Sequence, residues 1–336
     1  VIHHLVLGGV SPGALGAALD VFATAARIAR SASGKRALPA RALAQRVVSV
    51  DGLPVRSSAG MLVPVEGAWS ARRLVAGDVV LVAGVGAASE PEISALLERR
   101  DARAAMDALD QALGRPGLHV AASCSSTFLL ASTGALDGGE ATTTWWLSGS
   151  FARRFPRVRL CADRMVVEAQ RRWTAGAALS HADLALALLA RTTRPSLAHL
   201  VARYLVLDER PSQARYVVTE HLRSTDPAVR AIERAVHASL ERQLGLEELA
   251  QAAKTSPRTL ARRVQAALGT TPLRHAQRLR VAHAAHLLES TDEPVERIAA
   301  RVGYADAAAF RRLFRRETGA SPRERRRARA TLTAGG

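Results

Sequence analysis

Apolar and polar positions follow two different rhythms along this chain. Over roughly the first 200 residues, short apolar runs alternate with longer amphipathic stretches. Leu5-Val6-Leu7 reads as a strand, after which Gly8-Gly9 and Ser11-Pro12-Gly13 turn the chain into a helix over 14–29. Val47-Val48-Ser49-Val50 is a second strand, ended by the Asp51-Gly52 turn. The run from Asp78 to Gly84 is continuously apolar in its middle, the pattern of a strand covered on both faces. A charge-rich helix is predicted over 91–113. Leu118-His119-Val120-Ala121-Ala122 is then a strand that feeds Ser123-Cys124-Ser125-Ser126 and a helix over 127–133. Apolar helices over 181–191 and 197–206 close the region. Strands alternating with helices predict an α/β domain over 1–207, a parallel sheet with helices on both faces.

The second rhythm is helical throughout. Residues 208–226, with Pro211, Ser212 and several charges, show no sustained period and are read as a linker. From 227 to 329 the apolar spacing is that of helices, interrupted by Gly and Pro at turn positions, which predicts an all-α domain. Within it one pattern occurs twice. Leu249-Ala250 recurs as Ile298-Ala299, and Leu260 is answered by Phe310. Arg262, Val264, Gly269 and Pro272 are matched by Arg312, Phe314, Gly319 and Pro322, each 50 positions on. A short apolar helix, a tight turn, an arginine-bearing helix and Gly-x-x-Pro is how a helix-turn-helix unit reads, and a tandem pair points to DNA.

In the first copy Leu246, Leu249, Ala250 and Ala253 form one face, and Thr255 or Ser256 caps the next helix ahead of Pro257. Leu260 and Val264 then point inward, leaving Arg258 and Arg262, one turn apart, on the opposite side. In the second copy Phe310 and Phe314 face inward while Arg311, Arg312, Arg315 and Arg316 supply charge. Between the copies a long helix is predicted over 272–290, with Leu279, His283 or Ala282, His286 and Leu287 on its buried side.

Charge sharpens this picture. The net charge is +17, and residues 226–336 hold 21 Lys/Arg against 12 Asp/Glu, so the last third carries +9. Guanidinium forks suit phosphates and guanine edges, and a basic domain gains affinity from counterion release. A chain-wide preference for arginine and alanine accounts for part of the charge, but not for the repeat. Cys124 and Cys161 are the only cysteines, too few for a disulfide framework and without metal-ligand spacing. No run of about 18 apolar residues suggests a membrane span. Val1 to Leu7 lacks a basic leader and a cleavage site, so a cytoplasmic protein is expected.

Ser256-Pro257-Arg258-Thr259-Leu260-x-Arg262-Arg263 and Gly269-x-x-Pro272 match the first half of the AraC-type domain of bacterial transcription regulators. Leu279-Arg280, Leu287-Leu288, Ile298-Ala299, Val302-Gly303-Tyr304, Phe310-x-x-x-Phe314 and Gly319-x-Ser321-Pro322 match its second half. The resemblance covers 227–327. It implies two helix-turn-helix units on a rigid linking helix, with recognition helices in successive major grooves about 34 Å apart. Carried over position by position, base reading falls to Arg258, Thr259, Ala261 and Arg262 in the first unit. In the second it falls to Ala307, Ala308, Arg311 and Arg312. The alanines can meet only a thymine methyl, and each arginine can equally serve a phosphate. Arg258, Arg262 and Arg312 are the preferred base contacts, and the tail over 323–329 is expected to clamp the backbone.

The amino-terminal region resembles the ThiJ/PfpI class of the glutamine-amidotransferase-like fold. The resemblance rests on Gly84, Leu129-Leu130-Ala131-Ser132-x-Gly134-x-Leu136-Asp137-Gly138, Ala141-Thr142-Thr143-Thr144-Trp145, Thr174-Ala175-Gly176 and Asp183-Leu184-Ala185-Leu186. Joined to an AraC-type carboxyl terminus it marks the GlxA-like group of regulators. Ala122-Ser123-Cys124-Ser125-Ser126 falls between a strand and a helix, where a cysteine nucleophile would be exposed on a sharp turn with the helix N-terminus lowering its pKa. This chain departs from the class: Ser125 and Ser126 follow the cysteine in place of a glycine-containing elbow, and Thr144 replaces a histidine. His119 and His181 do not sit at matching positions, and Asp20 is the nearest acid candidate. No enzymatic activity, cofactor or metal is therefore expected. The pocket is read as a small-metabolite site lined by Gly13, Gly84, Val85, Cys124, Ser125 and Trp145, at the carboxyl ends of parallel strands.

The whole reads as a homodimeric transcription regulator that binds double-stranded promoter DNA, responds to a small effector and, if an activator, contacts RNA polymerase. The alternatives are a cysteine-dependent hydrolase or hydratase tethered to a DNA-binding domain, and a constitutive DNA-binding dimer without a ligand.

Overall fold

A computed structural model of the protein describes residues 1–31, 40–208, 210, 212–213, 216 and 226–326. Most of the predicted linker over 208–226, and residues 327–329 of the predicted arginine tail, lie outside the described residues. The chain divides into two compact units, Val1–Pro211 and Ser212–Gly336.

The first unit runs β1 (Ile2–Leu5), α1 (Pro12–Ser31), β2 (Gln45–Val48), β3 (Val55–Arg56), β4 (Leu62–Val63), β5 (Val79–Val82), α2 (Glu90–Glu98), α3 (Arg100–Leu113), β6 (His119–Ser123) and α4 (Ser126–Ser132). It continues with β7 (Glu140–Ala141), α5 (Ser148–Arg154), β8 (Arg159–Leu160), β9 (Val166–Ala169), β10 (Arg172–Ala175), α6 (Ser180–Thr192) and α7 (Pro195–Tyr204). The main sheet has the order β2-β1-β5-β6-β10-β9, with every neighbouring pair parallel except the edge pair β10–β9. That hairpin turns through Gln170 and Arg171, both with left-handed φ (51° and 64°), as a two-residue hairpin turn requires.

Alternation along the central strands sends successive side chains to two separate cores. Val80, Val82, Val120 and Ala122 pack with residues of α2, α3, α4 and α5 on one face. Val79, Leu81, Ala121 and Trp173 pack with α1, α6 and α7 on the other. The single helix predicted over 91–113 is in fact two, broken at Arg99 with extended backbone (ψ 142°). The break turns Arg99 and Asp101 inward onto the loop after β1. Asp101 accepts from the Gly8 amide at 3.1 Å, and Arg99 Nη2 donates to the Gly8 carbonyl at 2.8 Å.

The second unit holds α8 (Pro227–Ala238), α9 (Leu246–Ala252), α10 (Pro257–Leu268), α11 (Pro272–Ser290), α12 (Val295–Arg301) and α13 (Ala307–Thr318). Local signals define these helices. Asp226, Ser256, Thr271 and Asp306 each cap a helix start by accepting a backbone N–H, and Gly269 and Gly319 end α10 and α13 in left-handed conformation. Two apolar cores form. Ala276 and Leu279 of α11 join α8, α9 and α10 in one; Val281, Ala284, Leu287 and Leu288 join α12 and α13 in the other. The predicted inner face of α11 needs correcting: Ala282 and His286 are exposed, and Arg280, Val281 and Ala284 are buried in their place. The helix serves two cores in turn, so its buried side shifts partway along and no single stripe describes it.

Of the buried histidines in the first unit, His4 and His181 are the most enclosed. His4 Nε2 meets Gln45 Oε1 at 2.9 Å, and His181 Nδ1 meets Ser123 Oγ at 2.8 Å. Burial pushes both imidazoles down, His4 to about 4 and His181 to about 3. Once unfolded, both take up protons near the ordinary value of about 6.5. Below that pH the unfolded chain binds more protons than the folded one, so stability falls as the pH drops toward 4 and is regained above about 6.5. Urea denaturation between pH 7.5 and 4.5 should show a slope approaching about 1.4 kcal/mol per pH unit for each histidine. His4→Gln should remove up to about 1.4 kcal/mol per pH unit of that slope, leaving the share of His181 and of the likewise down-shifted His3 and His119.

Candidate nucleic-acid interface and the Cys124 turn

Burial of one face of α10 decides what the other presents. Leu260, Val264 and Leu268 enter the core shared with Val229, Ile232 and Val236 of α8 and Leu249 and Ala250 of α9. Arg258 and Arg262 are left exposed, and among the described residues neither makes an ion pair or a side-chain hydrogen bond. Arg263, the next residue, points elsewhere. Its guanidinium grips Asp226 in two bonds, Nε to Oδ2 at 3.0 Å and Nη2 to Oδ1 at 2.7 Å. Asp226 also caps α8 through the Ala228 amide, so Arg263 ties α10 to α8. Thr259 is half-buried, with its hydroxyl 3.0 Å from Ser256 Oγ inside the helix cap, and Ala261 is half-buried beside it.

The second unit repeats the arrangement with its cations differently engaged. Phe310, Leu313 and Phe314 are buried, and Ala307 packs partly against the same core while Ala308 is exposed. Arg311 pairs with Glu296 of α12, and Arg312 stands 4.0 Å from Asp306 with three quarters of its side chain exposed. Glu317, which is buried, bonds Arg316 beside it on α13 and Arg278 of α11, and the second pair fastens α13 to α11. Exposed ion pairs of the Arg311 and Arg312 kind are worth about 0–1 kcal/mol, so a phosphate or a base edge competes with them readily.

In the first unit Cys124 occupies the turn between β6 and α4 with left-handed φ (55°). Its amide donates to the Ala175 and Gly176 carbonyls at 3.0 and 2.9 Å, which holds the turn against the end of β10. Gly84 lies directly opposite: a Cβ there would come within 2.8 Å of the Cys124 Cβ, so only glycine lets the two loops meet. Ser125 Oγ accepts from the Val85 amide at 3.0 Å and donates to the Val85 carbonyl at 2.6 Å, closing the same contact. The Ser11 amide donates to the Gly84 carbonyl, which brings the turn containing Gly13 to this end of the sheet. Gly13 itself is exposed, 3.7 Å from Leu179 as judged from its Cβ direction. Trp145 is buried, stacked edge-on against Trp146 at 5.1 Å.

An exposed, acidified thiol is not what forms. Cys124 is buried, and burial pushes its thiol up, with hydrogen bonding from Ser125 and Thr144 only partly opposing. The bases considered from sequence are placed elsewhere. His119 begins β6 and accepts from Trp173 Nε1 at 3.1 Å; His181 bonds Ser123; Asp20 is exposed on α1. Among the described residues no imidazole or carboxylate bonds the Cys124 sulfur. A shallow cavity of about 160 Å³ lies at the other end of β6 and β10, lined in part by Arg115, Gly117, Arg171 and Arg172. Arg115 and Arg171 already donate there to the Leu74 and Gly117 carbonyls, so we read their role as support of the backbone.

Residues 249–328 match the family described as "Helix-turn-helix domain". The HTH-type transcriptional regulator CdhR of Pseudomonas aeruginosa is 31% identical over 287 residues, covering 83% of this chain and 80% of the relative. The HTH-type transcriptional regulator GbdR of the same species is 26% identical over 219 residues, taking in 64% of this chain, which spans only 59% of that relative's length. A solved ThiJ/PfpI family protein from Pseudomonas syringae is 18% identical with a TM-score of 0.48, covering 75% of this chain and 88% of its own.

Adjacent arginines should behave oppositely. Arg262→Ala should weaken specific DNA binding by roughly 1–3 kcal/mol with an unchanged melting temperature. Arg263→Ala should lower the melting temperature, because it strips the partner from Asp226. Titration of a selected duplex and thermal denaturation separate the two effects. For the thiols, alkylation followed by peptide mass spectrometry should label half-exposed Cys161 before Cys124 in the folded chain.

Proposed function

This chain belongs to the AraC-type helix-turn-helix transcription regulators, and on that premise we propose that its amino-terminal unit is of the ThiJ/PfpI type and that the protein binds promoter DNA sequence-specifically under the control of a small metabolite. One observation carries the DNA-binding reading: two exposed, unpaired guanidiniums, Arg258 and Arg262, stand one turn apart on the outer face of a capped helix. That is the display a recognition helix needs for base edges or flanking phosphates. Arg312 and Arg311 play the corresponding part on α13, with Thr259, Ala261, Ala307 and Ala308 as apolar or weakly polar contacts beside them.

The amino-terminal unit is read as the sensor and as the site of homodimer formation. Its candidate pocket gathers Gly84, Val85, Cys124 and Ser125 through the contacts described above, with Gly13 and Trp145 on adjoining turns. A thiol without a neighbouring base is suited to packing or weak hydrogen bonding, and gives hydrolysis no support. A path for control leads out of this region along α6. Ser123, beside Cys124, bonds His181; two residues on, Asp183 holds Arg210 by bonds at 2.6 and 3.2 Å, in the segment that ends the unit. A ligand that prefers one setting of the Cys124 turn would bias α6 and this ion pair.

Selection of genomic fragments by the full chain tests the reading. It should enrich a two-part sequence with its halves about one helical turn apart, and Arg258→Ala with Arg262→Ala should abolish enrichment of one half. Absence of any enriched sequence would overturn it. The metabolite reading expects at least one compound from a metabolite panel to raise the melting temperature and shift DNA affinity together. Compounds that do only the first would leave a constitutive DNA-binding dimer.

A further inference from the structure

Arg280, in the middle of α11, heads the fully buried side chains by size. Its guanidinium turns toward the segment that joins α8 to α9. Nη2 donates to the Arg242 carbonyl at 2.6 Å and to the Ser239 carbonyl at 3.4 Å, while Nη1 reaches Ala276 on its own helix at 3.4 Å. The charge therefore sits on carbonyls at and beyond the carboxyl end of α8, where a cation is favoured. An enclosed cation is costly and well-packed apolar residues often replace it without loss, so stability alone is a weak reason for an arginine here.

The same segment of the first helix-turn-helix unit touches the second. Gln243 Nε2 donates to the Gly303 carbonyl at 3.0 Å. A Cβ on Gly303 would lie 3.0 Å from the Leu240 carbonyl oxygen and 3.3 Å from the Arg242 backbone. Gly303 has left-handed φ (84°), yet turn geometry does not by itself demand glycine: Lys254 holds the equivalent turn of the first unit with φ 50°. Close approach to residues 240–242 is the added constraint. Tyr304, next in the chain, stacks on Phe310 of α13, its ring centroid 5.6 Å away. Arg280, the loop over 239–243 and the Gly303 turn thus meet at one junction, beside the two cores to which α11 contributes in turn.

We propose that this junction is a latch: Arg280, Gln243 and Gly303 are positioning residues that lock the two helix-turn-helix units into one rigid reader with a set spacing and phase. The proposal deepens the DNA-binding reading above and rests on it. Joining two modules rigidly makes the second contact intramolecular, and the gain disappears when the geometry of the sites no longer matches.

The test uses the full chain and a two-part duplex obtained by selection from random sequence. Variants are Arg280→Met, which keeps an apolar filler, and Gln243→Ala, which leaves the buried core untouched. Both should bind either half-site alone within about twofold of the parent, but bind the two-part duplex at least about tenfold more weakly. The parent should lose affinity steeply when 5 base pairs are inserted between the halves, and the variants should lose little. Unchanged two-part affinity and spacing dependence in both variants would overturn the latch. So would an equal loss on isolated half-sites, which would assign Arg280 to folding of the first unit.

A DNA-free readout separates failure of the latch from failure of the DNA-binding reading. Spin labels placed through Gln265→Cys and Arg315→Cys, in a Cys124→Ser, Cys161→Ser background, should give a narrow distance distribution that broadens on Gln243→Ala. An unchanged distribution overturns the latch, whatever the chain binds.

Discussion

One helix feeding two apolar cores is the constraint on which the carboxyl-terminal unit depends. The trio α8, α9 and α10 and the pair α12 and α13 each close a core with α11, which lends its first half to one group and its second half to the other. Once Leu260 and Val264, or Phe310 and Phe314, are committed to those cores, the 3.6-residue period leaves Arg258, Arg262, Arg312 and Arg315 facing out. The display of cations is a consequence of packing, and it is rigid because the packing is.

The amino-terminal unit depends on a comparable close approach. Gly84 permits the Cys124 turn to rest on the end of β5, and the paired bonds between Ser125 and Val85 hold it there. Burial that secures this contact also raises the thiol pKa, so the feature that shapes the turn disfavours the thiolate there. Farther out, Asp101 and Arg99 fasten the Gly8 loop to the break between α2 and α3. Loops at the carboxyl ends of β1, β5 and β6 are thereby held by contacts between elements distant in sequence.

Much of this was legible beforehand because periodicity records which face of an element is apolar. Continuous apolar runs marked β5 and β6, and the repeat near 50 residues marked both helix-turn-helix units with their glycine ends at Gly269 and Gly319, offering Thr255 or Ser256 as the cap of α10 but not Asp306 as the cap of α13. The weak points were elements too short or too polar to carry a period, such as β3, β7 and β8, and the antiparallel edge strand β9. On α11 the stripe was misplaced, since two cores on different sides blur a single face, and an arginine gave no hint that it would be buried.

By itself, then, the order of residues determined the alternation of strands and helices in the first unit, the tandem units in the second, and which arginines of α10 and α13 face away from the core. Partnerships were decided only in three dimensions. Arg262 and Arg263 are neighbours of one chemical kind, yet one is free at the surface and the other grips Asp226 from 37 positions away. The break at Arg99 leaves its guanidinium bonded to Gly8, 91 positions earlier. Periodicity is a local property of the chain, whereas a hydrogen bond, a buried charge or a forbidden Cβ depends on which distant backbone arrives at the same place.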